Sequence, residues 1–348
     1  MARYSKERLA VFLARPRTLA EIAKELGRHA VSVGQTRELP LPEGVMLFEQ
    51  RDNIGQPLFK AVSAVHSEPE PARSWGVWCS KDQPYIWVQF PQNFKAERIK
   101  IAPLSDAHFG ARAHQADRFR EYVAWIRKEP HVFTFLNGDM IENAIDGSIG
   151  GAAYESIMTP SEQLWGKDDG TPGIIDLLRP IRHKIFWAQP GNHEWRTWKK
   201  ANIDPTRIIA RELGIPYFSE PIYADILAWG HRFTFFVQHG ASGAGTKGGK
   251  MNAASRPSLW QEHTHFIGMG HVHDSMANPV TRMVRERTFD EFGKLSGFRL
   301  VERTQYVVVF PSFHDYFENY GARAGYAPGS WGTVTCTLYN DGTYRASD

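Results

Sequence analysis

The chain has 348 residues, enough for two domains, and 42% of them are hydrophobic, as in globular proteins with a sizeable core. Its 41 Lys+Arg nearly balance its 38 Asp+Glu, so the net charge of +3 gives no argument for nucleic-acid binding. With only two cysteines, Cys79 and Cys336, a disulfide framework is not expected and a reducing compartment is the default. No apolar run approaches the roughly 20 residues that span a bilayer, and no signal-peptide pattern opens the sequence. A cytoplasmic protein without membrane segments is predicted.

Residues 1–66 are predicted to form a small separate domain. Residues 5–14 carry apolar side chains at helical spacing, which indicates a first helix. A second helix is predicted over residues 18–27, because Thr18 and Glu21 form a capping-box pair and a glycine ends the segment. Two short helices in succession resemble a helix-turn-helix.

A hairpin after these helices makes the domain resemble a winged helix. Residues 45–48 and 57–62 read as its two strands, and residues 29–37 as a third helix. DNA binding by such a domain needs a third helix with several basic and amide side chains, and this segment offers few. A docking or oligomerisation module therefore remains the alternative to DNA binding.

Residues 67–97 are predicted to hold a linker and two leading strands. Prolines and charges in residues 68–74 are typical of a linker. Residues 75–79 and 85–90 read as strands, which either lead into the next domain or complete the first.

From residue 98 to residue 348 the sequence predicts a second, α/β domain, because apolar strands alternate with helical segments. Residues 116–127 place Phe119, Val123 and Ile126 at helical spacing between two strands, which indicates a βαβ unit. Further helices are predicted at residues 161–165, 174–178 and 204–214. The end of the chain is predicted to be β only, at residues 303–311, 330–339 and 343–345.

Five short polar motifs in this region each follow, or nearly follow, an apolar run that reads as a strand. They are Asp106-Ala-His108, Gly138-Asp139, Gly191-Asn-His-Glu194, His239-Gly240 and Gly270-His-Val-His273. Binding sites of open α/β sheets lie at the carboxyl ends of strands. A single histidine there is more often structural, but five histidines with two aspartates favour one common site.

The residue types of these motifs suit a pair of divalent metal ions, which needs a bridging carboxylate and further oxygen and nitrogen ligands. Asp106 and His108 are two residues apart, so they face the same side of an extended chain, and the same holds for His271 and His273. Asp139 stands where it can bridge. The predicted ligands are Asp106, His108, Asp139, Asn192, His239, His271 and His273.

The five motifs, in this order, resemble those of the calcineurin-like metallophosphoesterase superfamily over about residues 98 to 275. The resemblance implies a four-layer αββα sandwich with two central sheets and two divalent ions of Mn, Fe or Zn. It assigns one ion to Asp106, His108 and His273, the other to Asn192, His239 and His271, and the bridge to Asp139.

The same resemblance implies that His193 and Asp139 are catalytic. His193 is not a metal ligand in that family but faces the scissile phosphate, where it would act as a general acid while a metal-bridging hydroxide attacks. Glu194 or Asp225 would orient imidazoles from outside the ligand shell. Six histidines outside the motifs are interpreted as structural, or as lying at the surface or behind the ligands: His131, His183, His231, His263, His265 and His314.

Candidate substrate contacts are Lys247, Lys250 and Arg196. The glycine-rich residues 240–250 lack the spacing of a P-loop, so we expect a mobile loop whose lysines close over a phosphate. Arg196 lies between Trp195 and Trp198, which could contact a nucleic-acid strand.

The favoured function is a phosphodiesterase or nuclease acting on DNA or RNA, as in the DNA-repair exonuclease branch of the superfamily, whose bacterial and phage members the chain resembles. A phosphomonoesterase for protein or small-molecule substrates is the alternative enzyme. A catalytically silent DNA-binding or docking protein is the alternative from another class.

Overall fold

The computed structural model describes residues 17–25, 45–51, 57–63, 73–147, 156–261, 263–315 and 333–347. The chain divides into two compact units, Met1–Ala72 and Arg73–Asp348. Its described residues form a mixed α/β protein with seven α-helices and fifteen strands in three sheets. Within these residues, no helix is both long enough and apolar enough to cross a membrane.

The described part of the first unit is one helix beside a three-stranded sheet. Helix α1 (Leu19–Glu25) follows strand β1 (Arg17–Thr18). The expected capping box is present, because the Thr18 N–H donates to Glu21 Oε2 at 2.8 Å and the Glu21 N–H donates to Thr18 Oγ1 at 3.3 Å. The helix predicted at residues 18–27 is therefore confirmed over Leu19–Glu25, and its last two residues lie outside the described residues.

Strands β2 (Val45–Arg51) and β3 (Pro57–Ser63) pair antiparallel, which confirms the two strands of the predicted hairpin. Strand β1 adds to the other side of β3, so the sheet order is β1-β3-β2. The helices predicted at residues 5–14 and 29–37 lie outside the described residues, and the winged-helix interpretation stays a prediction.

The second unit is built on two mixed sheets. Its strands are β4 (Gly76–Cys79), β5 (Tyr85–Gln89), β6 (Arg98–Ile101), β7 (Val132–Asn137), β8 (Ile185–Gln189), β9 (Ile222–Ala228), β10 (His231–Gln238), β11 (Phe266–Met269), β12 (Met276–Phe289), β13 (Leu295–Val309), β14 (Thr335–Tyr339) and β15 (Tyr344–Ser347). The five-stranded sheet has the order β15-β14-β6-β7-β8, and the seven-stranded sheet has the order β12-β13-β11-β10-β9-β5-β4. Strands β4 and β5 thus belong to the second unit, which resolves the alternative left open by the sequence.

All four helices predicted for this unit are confirmed within one or two residues. Two further helices, α5 and α7, were not predicted, and neither were β9, β12 and the first half of β13. The helices are α2 (Ala116–Lys128), α3 (Pro160–Trp165), α4 (Ile174–Leu178), α5 (Glu194–Ala201), α6 (Pro205–Leu213) and α7 (Lys247–Ser255).

Two apolar cores hold the five-stranded sheet in place. One lies between the two sheets, where Phe135 of β7 stacks on Trp187 of β8 with ring centroids 4.6 Å apart. The other lies between the sheet and helices α2, α4 and α6. Helix α2 packs through the side chains that its periodicity predicts, among them Phe119 and Ile126, which are fully buried.

A smaller core attaches α7 to the outer face of the seven-stranded sheet. Ala253 and Ala254 of α7 are buried against Val307 and Val309 of β13. The order of packing is therefore helices, five-stranded sheet, seven-stranded sheet and α7.

Candidate metal centre

Parallel strands of both sheets deliver the five motifs to one place. Strands β6, β7 and β8 run parallel in one sheet, and β10, β11 and β13 run parallel in the other. Each motif lies one to five residues beyond one of these strands. All seven predicted ligands meet there, in two groups joined by Asp139.

The first ligand group consists of Asp106, His108 and His273, whose candidate ligand atoms all lie within 4.8 Å of one another. The Nε2 atom of His273 is 3.0 Å from His108 Nε2 and 3.4 Å from Asp106 Oδ1. Asp106 also accepts a hydrogen bond from the backbone N–H of His271 at 2.9 Å. This bond connects the first of the five motifs to the last.

The second ligand group consists of Asp139, His239 and His271, with Asn192 beside them. His239 Nε2 lies 3.2 Å from Asp139 Oδ2. The side-chain oxygen of Asn192 is 3.2 Å from His239 Nε2 and 2.7 Å from His271 Nδ1. Carboxylate, amide and imidazole atoms therefore face a common point.

Asp139 connects the two groups through a single oxygen. Its Oδ2 is 3.2 Å from His239 Nε2 and 4.0 Å from His108 Nε2. Its Oδ1 accepts the backbone N–H of His193 at 2.8 Å, which fixes the orientation of the carboxylate. A bridging ligand has to stand in this position.

The backbone at the ligands is strained. Eight described residues other than glycine have positive φ, and five of them are predicted ligands with φ between 46° and 68°: Asp106, His108, Asp139, His271 and His273. Each such conformation costs about 1–3 kcal/mol and is typical of functional sites. The fold holds these side chains where the strands alone would not place them.

Glycines beside the ligands are explained by close packing. A Cβ atom on Gly191 would collide with the Asp139 carboxylate, and one on Gly270 would collide with the side chains of Ser105 and Asp106. Larger residues at these positions would push the carboxylates out of place. The glycines of the sequence motifs are therefore required by the site itself.

Two imidazoles are held with one nitrogen facing the centre. His108 Nδ1 lies 2.9 Å from Glu142 Oε2, and His239 Nδ1 lies 2.7 Å from the carbonyl oxygen of Asn137. Metal-binding histidines characteristically donate their second ring N–H to a carboxylate or carbonyl oxygen, which leaves the other nitrogen unprotonated for the ion. These residues fit a metal centre.

Electrostatics at the centre favour a bound cation. Burial alone raises the pKa of Asp106, but the hydrogen bond with His273 and the charge of His239 outweigh burial and lower it to about 2. Burial lowers the pKa of His239, but the Asp139 carboxylate outweighs it and raises that pKa to about 10. The buried carboxylates thus hold a proton on His239 where no metal is present, and metal binding would release it.

His193 stands beside the two ligand groups, with its Nε2 3.8 Å from Asp139 Oδ2. Its Nδ1 is 2.8 Å from the Glu142 carbonyl oxygen, and the Arg196 guanidinium donates to its Nε2 at 3.0 Å. Burial lowers the pKa of His193, but the Asp139 and Glu142 carboxylates outweigh burial and raise it. Arg196, a predicted substrate contact, therefore lies at the centre.

The two predicted lysine contacts differ from each other. The expected mobile loop ends at Thr246, whose side chain accepts the Gly249 N–H and caps α7. Lys247 is exposed in the first turn of this helix. Lys250 is buried and forms an ion pair with Asp274 at 3.1 Å, so it supports the fold rather than a moving loop.

Replacing Lys250 should therefore affect stability more than substrate binding. We expect Lys250→Met to lower the free energy of unfolding by about 3–5 kcal/mol, because it removes the ammonium group that lies 3.1 Å from the buried Asp274 carboxylate. The exposed Lys247→Met control should change it by less than about 0.5 kcal/mol. Urea denaturation measures both. A stable Lys250→Met protein with a tenfold higher KM would restore the substrate-contact interpretation.

Glu194 does not orient an imidazole. Its Oε1 accepts the N–H groups of Met140 and Ile141 at 2.7 and 3.3 Å, and its Oε2 accepts those of Asp139 and Gly191 at 2.9 and 2.8 Å. The carboxylate thereby joins the Asp139 turn to the Gly191 turn. Asp225, the other residue expected near the imidazoles, instead accepts a hydrogen bond from Tyr85 on strand β5.

Glu194→Gln should destabilise the protein by about 2–5 kcal/mol, because the new NH₂ group would face two buried N–H donors that lose their acceptor. The exposed Glu121→Gln on α2 is the matched control and should have little effect. The midpoint of denaturant unfolding tests this prediction. Equal stability of the two variants would show that the four hydrogen bonds do not hold the turns together.

Two further residues lie at the centre: Glu142, to which no catalytic role was assigned, and His314, which was interpreted as structural. Glu142 contacts His108, and His314 has its ring centroid 4.7 Å from that of His108. Candidate ligand atoms of these three residues lie within 4.8 Å of one another, and the buried His314 Nδ1 has no hydrogen-bond partner among the described residues. His314 lies five residues beyond the end of β13, just as the five motifs lie shortly beyond their strands. This position after a predicted strand was the one sequence feature that could have indicated a place at the centre.

The centre thus presents two groups of oxygen and nitrogen ligands, a shared carboxylate and an additional imidazole with an arginine. Such a set can bind divalent ions and can exchange a proton with a molecule bound beside them. Comparison of the chain with protein-family models and with curated proteins finds no match.

Proposed function

We propose that the protein is a metal-dependent phosphoric ester hydrolase that acts on the phosphodiester bonds of nucleic acid. The observation that carries the proposal is the position of Asp139, whose Oδ2 faces both ligand groups. A carboxylate shared between two sets of ligands is the requirement of a dinuclear centre. Mn²⁺, Fe and Zn²⁺ all accept this mixture of imidazole nitrogen with carboxylate and amide oxygen.

The arrangement of layers supports the same proposal. Helices, two facing sheets and α7 pack in the order that a four-layer αββα sandwich of the calcineurin-like kind requires. Both central sheets contribute strands that end at the centre. The expected assignment gives one ion to Asp106, His108 and His273 and the other to Asn192, His239 and His271.

Bound divalent ions would neutralise charge on the phosphoryl oxygens and make a water nucleophilic near neutral pH. The chain's own residues hold these ions and orient the ester. Asp139, Asp106 and Glu142 are buried carboxylates, so a phosphate anion would bind beside them only when divalent ions neutralise their charge.

His193 is the residue that would give a proton to the leaving oxygen. In the present arrangement Arg196 donates to Nε2, and the raised pKa of His193 favours a proton on this nitrogen once the guanidinium moves away. A phosphate oxygen is a stronger acceptor for Arg196 than a neutral imidazole. We expect substrate binding to draw Arg196 onto the phosphate and to leave Nε2 free to hold the proton.

Nucleic acid is the favoured substrate because of the helix that carries these residues. On α5, Trp195 and Trp198 stack with ring centroids 4.2 Å apart and remain partly exposed, and Lys199 and Lys200 are exposed beside them. Aromatic rings next to cations suit bases joined by phosphates. The winged-helix interpretation of the first unit points in the same direction and stays a prediction.

Chromogenic substrates test the proposal. With Mn²⁺ present, we expect bis(p-nitrophenyl) phosphate to be hydrolysed at least tenfold faster than p-nitrophenyl phosphate, and chelation to abolish both rates. A faster monoester rate would identify a phosphomonoesterase instead. Bound metal without turnover of either ester would favour the catalytically silent alternative.

A further inference from the structure

The outer face of the seven-stranded sheet is aromatic and exposed at the edge away from α7. Trp78 of β4 lies directly opposite Trp87 of β5, and Tyr85 of β5 is in register with Tyr223 of β9. Trp78, Trp87 and Tyr223 remain 55%, 38% and 40% exposed. Large exposed aromatic groups gathered on one face indicate an interaction surface.

A cavity of about 770 Å³ lies on this face and is lined by Tyr85, Tyr223, Trp260 and Arg232. A second cavity of about 340 Å³ is lined by His231, Arg303 and other residues, and Arg232 and His263 line both cavities. The larger cavity, lined by aromatic side chains, and the smaller cavity, lined by arginine and histidine side chains, therefore adjoin each other.

The lining of the two cavities carries an excess of positive or hydrogen-donating groups. It includes Arg232 and Arg303 and three histidines, against the carboxylate of Asp225. Arg303 is also ion-paired with Glu286 of β12, which lies outside the lining, and its side chain stays 45% exposed. The Asp225 carboxylate already accepts a hydrogen bond from Tyr85, and the Arg232 side chain stays 63% exposed although it lies 3.8 Å from Asp225.

A backbone hydrogen bond determines which ring nitrogen of His265 carries the proton. The backbone N–H of Thr234 donates to His265 Nδ1 at 2.9 Å, so a neutral His265 carries its proton on Nε2 and acts as a donor there. Donors of this kind around a small cavity suit an anion.

We propose that this face binds a single strand of nucleic acid. Its bases would stack on Trp78, Trp87 and Tyr223, and a phosphate would meet Arg232 and Arg303 in the smaller cavity. Planar rings exposed on a sheet next to arginines are the usual means of holding unpaired bases. An aromatic cavity next to a cationic cavity matches the alternation of base and phosphate along the strand.

This surface is separate from the metal centre. Arg232 is near the start of β10 and His239 follows its end, seven positions further along the chain, which is about 23 Å at roughly 3.3 Å per residue. The inference therefore does not rest on the proposed hydrolysis, and its test can be made without metal.

Fluorescence anisotropy of a labelled thymidine strand of about 12 nucleotides, with the full chain and EDTA, tests the inference. We expect Trp78→Ala combined with Trp87→Ala to weaken binding at least tenfold, because each stacked base contributes substantially to affinity. Trp78→Leu, which keeps an apolar side chain but removes the ring, should weaken it about fivefold. Arg232→Gln should weaken it and reduce the dependence of log Kd on log salt by about one.

Exposed residues elsewhere provide matched controls. Phe292→Ala on the turn between β12 and β13 and Arg211→Gln on α6 should leave strand binding unchanged, and Asp139→Asn should bind the strand normally even if it is inactive. Unchanged binding by the Trp78 and Arg232 variants would overturn the inference. So would a mononucleotide that binds as tightly as the strand, or self-association of the chain that these variants abolish.

Discussion

Asp139→Asn should reduce hydrolysis of bis(p-nitrophenyl) phosphate by on the order of 10³-fold or more, since the metal contribution is several kcal/mol and each 1.36 kcal/mol is about tenfold in rate. It should also lower the metal bound per chain by at least one ion. The substitution is sterically mild. Asparagine keeps the oxygen that accepts the His193 N–H, and it loses only the charged oxygen that faces His239 and His108.

Asp117→Asn is the matched control, because Asp117 is an exposed carboxylate in the first turn of α2. It should retain both activity and metal. Elemental analysis after gel filtration and steady-state kinetics measure the two quantities on the same samples. Wild-type metal content and activity in Asp139→Asn would show that the carboxylate at 139 holds no ion.

His193→Ala should leave the bound metal unchanged and should lower kcat by on the order of 10² to 10⁴-fold for a dialkyl or dinucleotide phosphodiester. The reason is that an alkoxide leaves poorly unless it receives a proton. A p-nitrophenolate leaving group needs no proton, so the same variant should lose much less activity on bis(p-nitrophenyl) phosphate. The two substrates together separate proton donation from general damage to the site.

His131→Ala is a suitable control, because His131 is exposed and stands before β7, away from the motifs. Its activity on both substrates should stay within about twofold of wild type. An equal loss by His193→Ala on good and poor leaving groups would contradict the role of general acid and would favour a role in binding the phosphate.

Much of the centre could be predicted from the sequence, because few other residue types would fit at the positions of its motifs. A side chain at Gly191 or Gly270 would collide with a ligand carboxylate, so only glycine fits at these positions. These glycines are part of the motifs and are therefore visible in the sequence. The residues two apart, Asp106 with His108 and His271 with His273, do meet at the centre, but the extended chain from which this was inferred is absent, because all four have positive φ. Their left-handed φ values could not be predicted, since no local signal distinguishes them from ordinary strand ends.

The unpredicted elements lack a strong apolar pattern. Strand β12 alternates partly buried with exposed residues, and its sequence includes three arginines and a proline, so its period of two is weak. Helix α7 begins within a glycine-rich run that favours a loop, and it is stabilised by the Thr246 cap and the pairing of Lys250 with Asp274. Only long-range contacts decide such segments.

His314 illustrates the same limit at the site. It lies more than 200 residues after His108 in the chain, yet its ring meets His108 because β13 runs parallel to β11. Burial and the neighbouring His108 lower its pKa to about 2, so it is a neutral imidazole. Its buried Nδ1 has no hydrogen-bond partner among the described residues, so it can bind an ion or accept a hydrogen bond from a bound substrate.

The account depends most directly on two ions that share Asp139. Crystals of the full chain grown with Mn²⁺ and measured at the manganese absorption edge test this. We expect two anomalous peaks about 3.5–4 Å apart, with an Asp139 oxygen contacting both. A single peak, no peak, or two peaks that Asp139 does not join would contradict the proposed hydrolase.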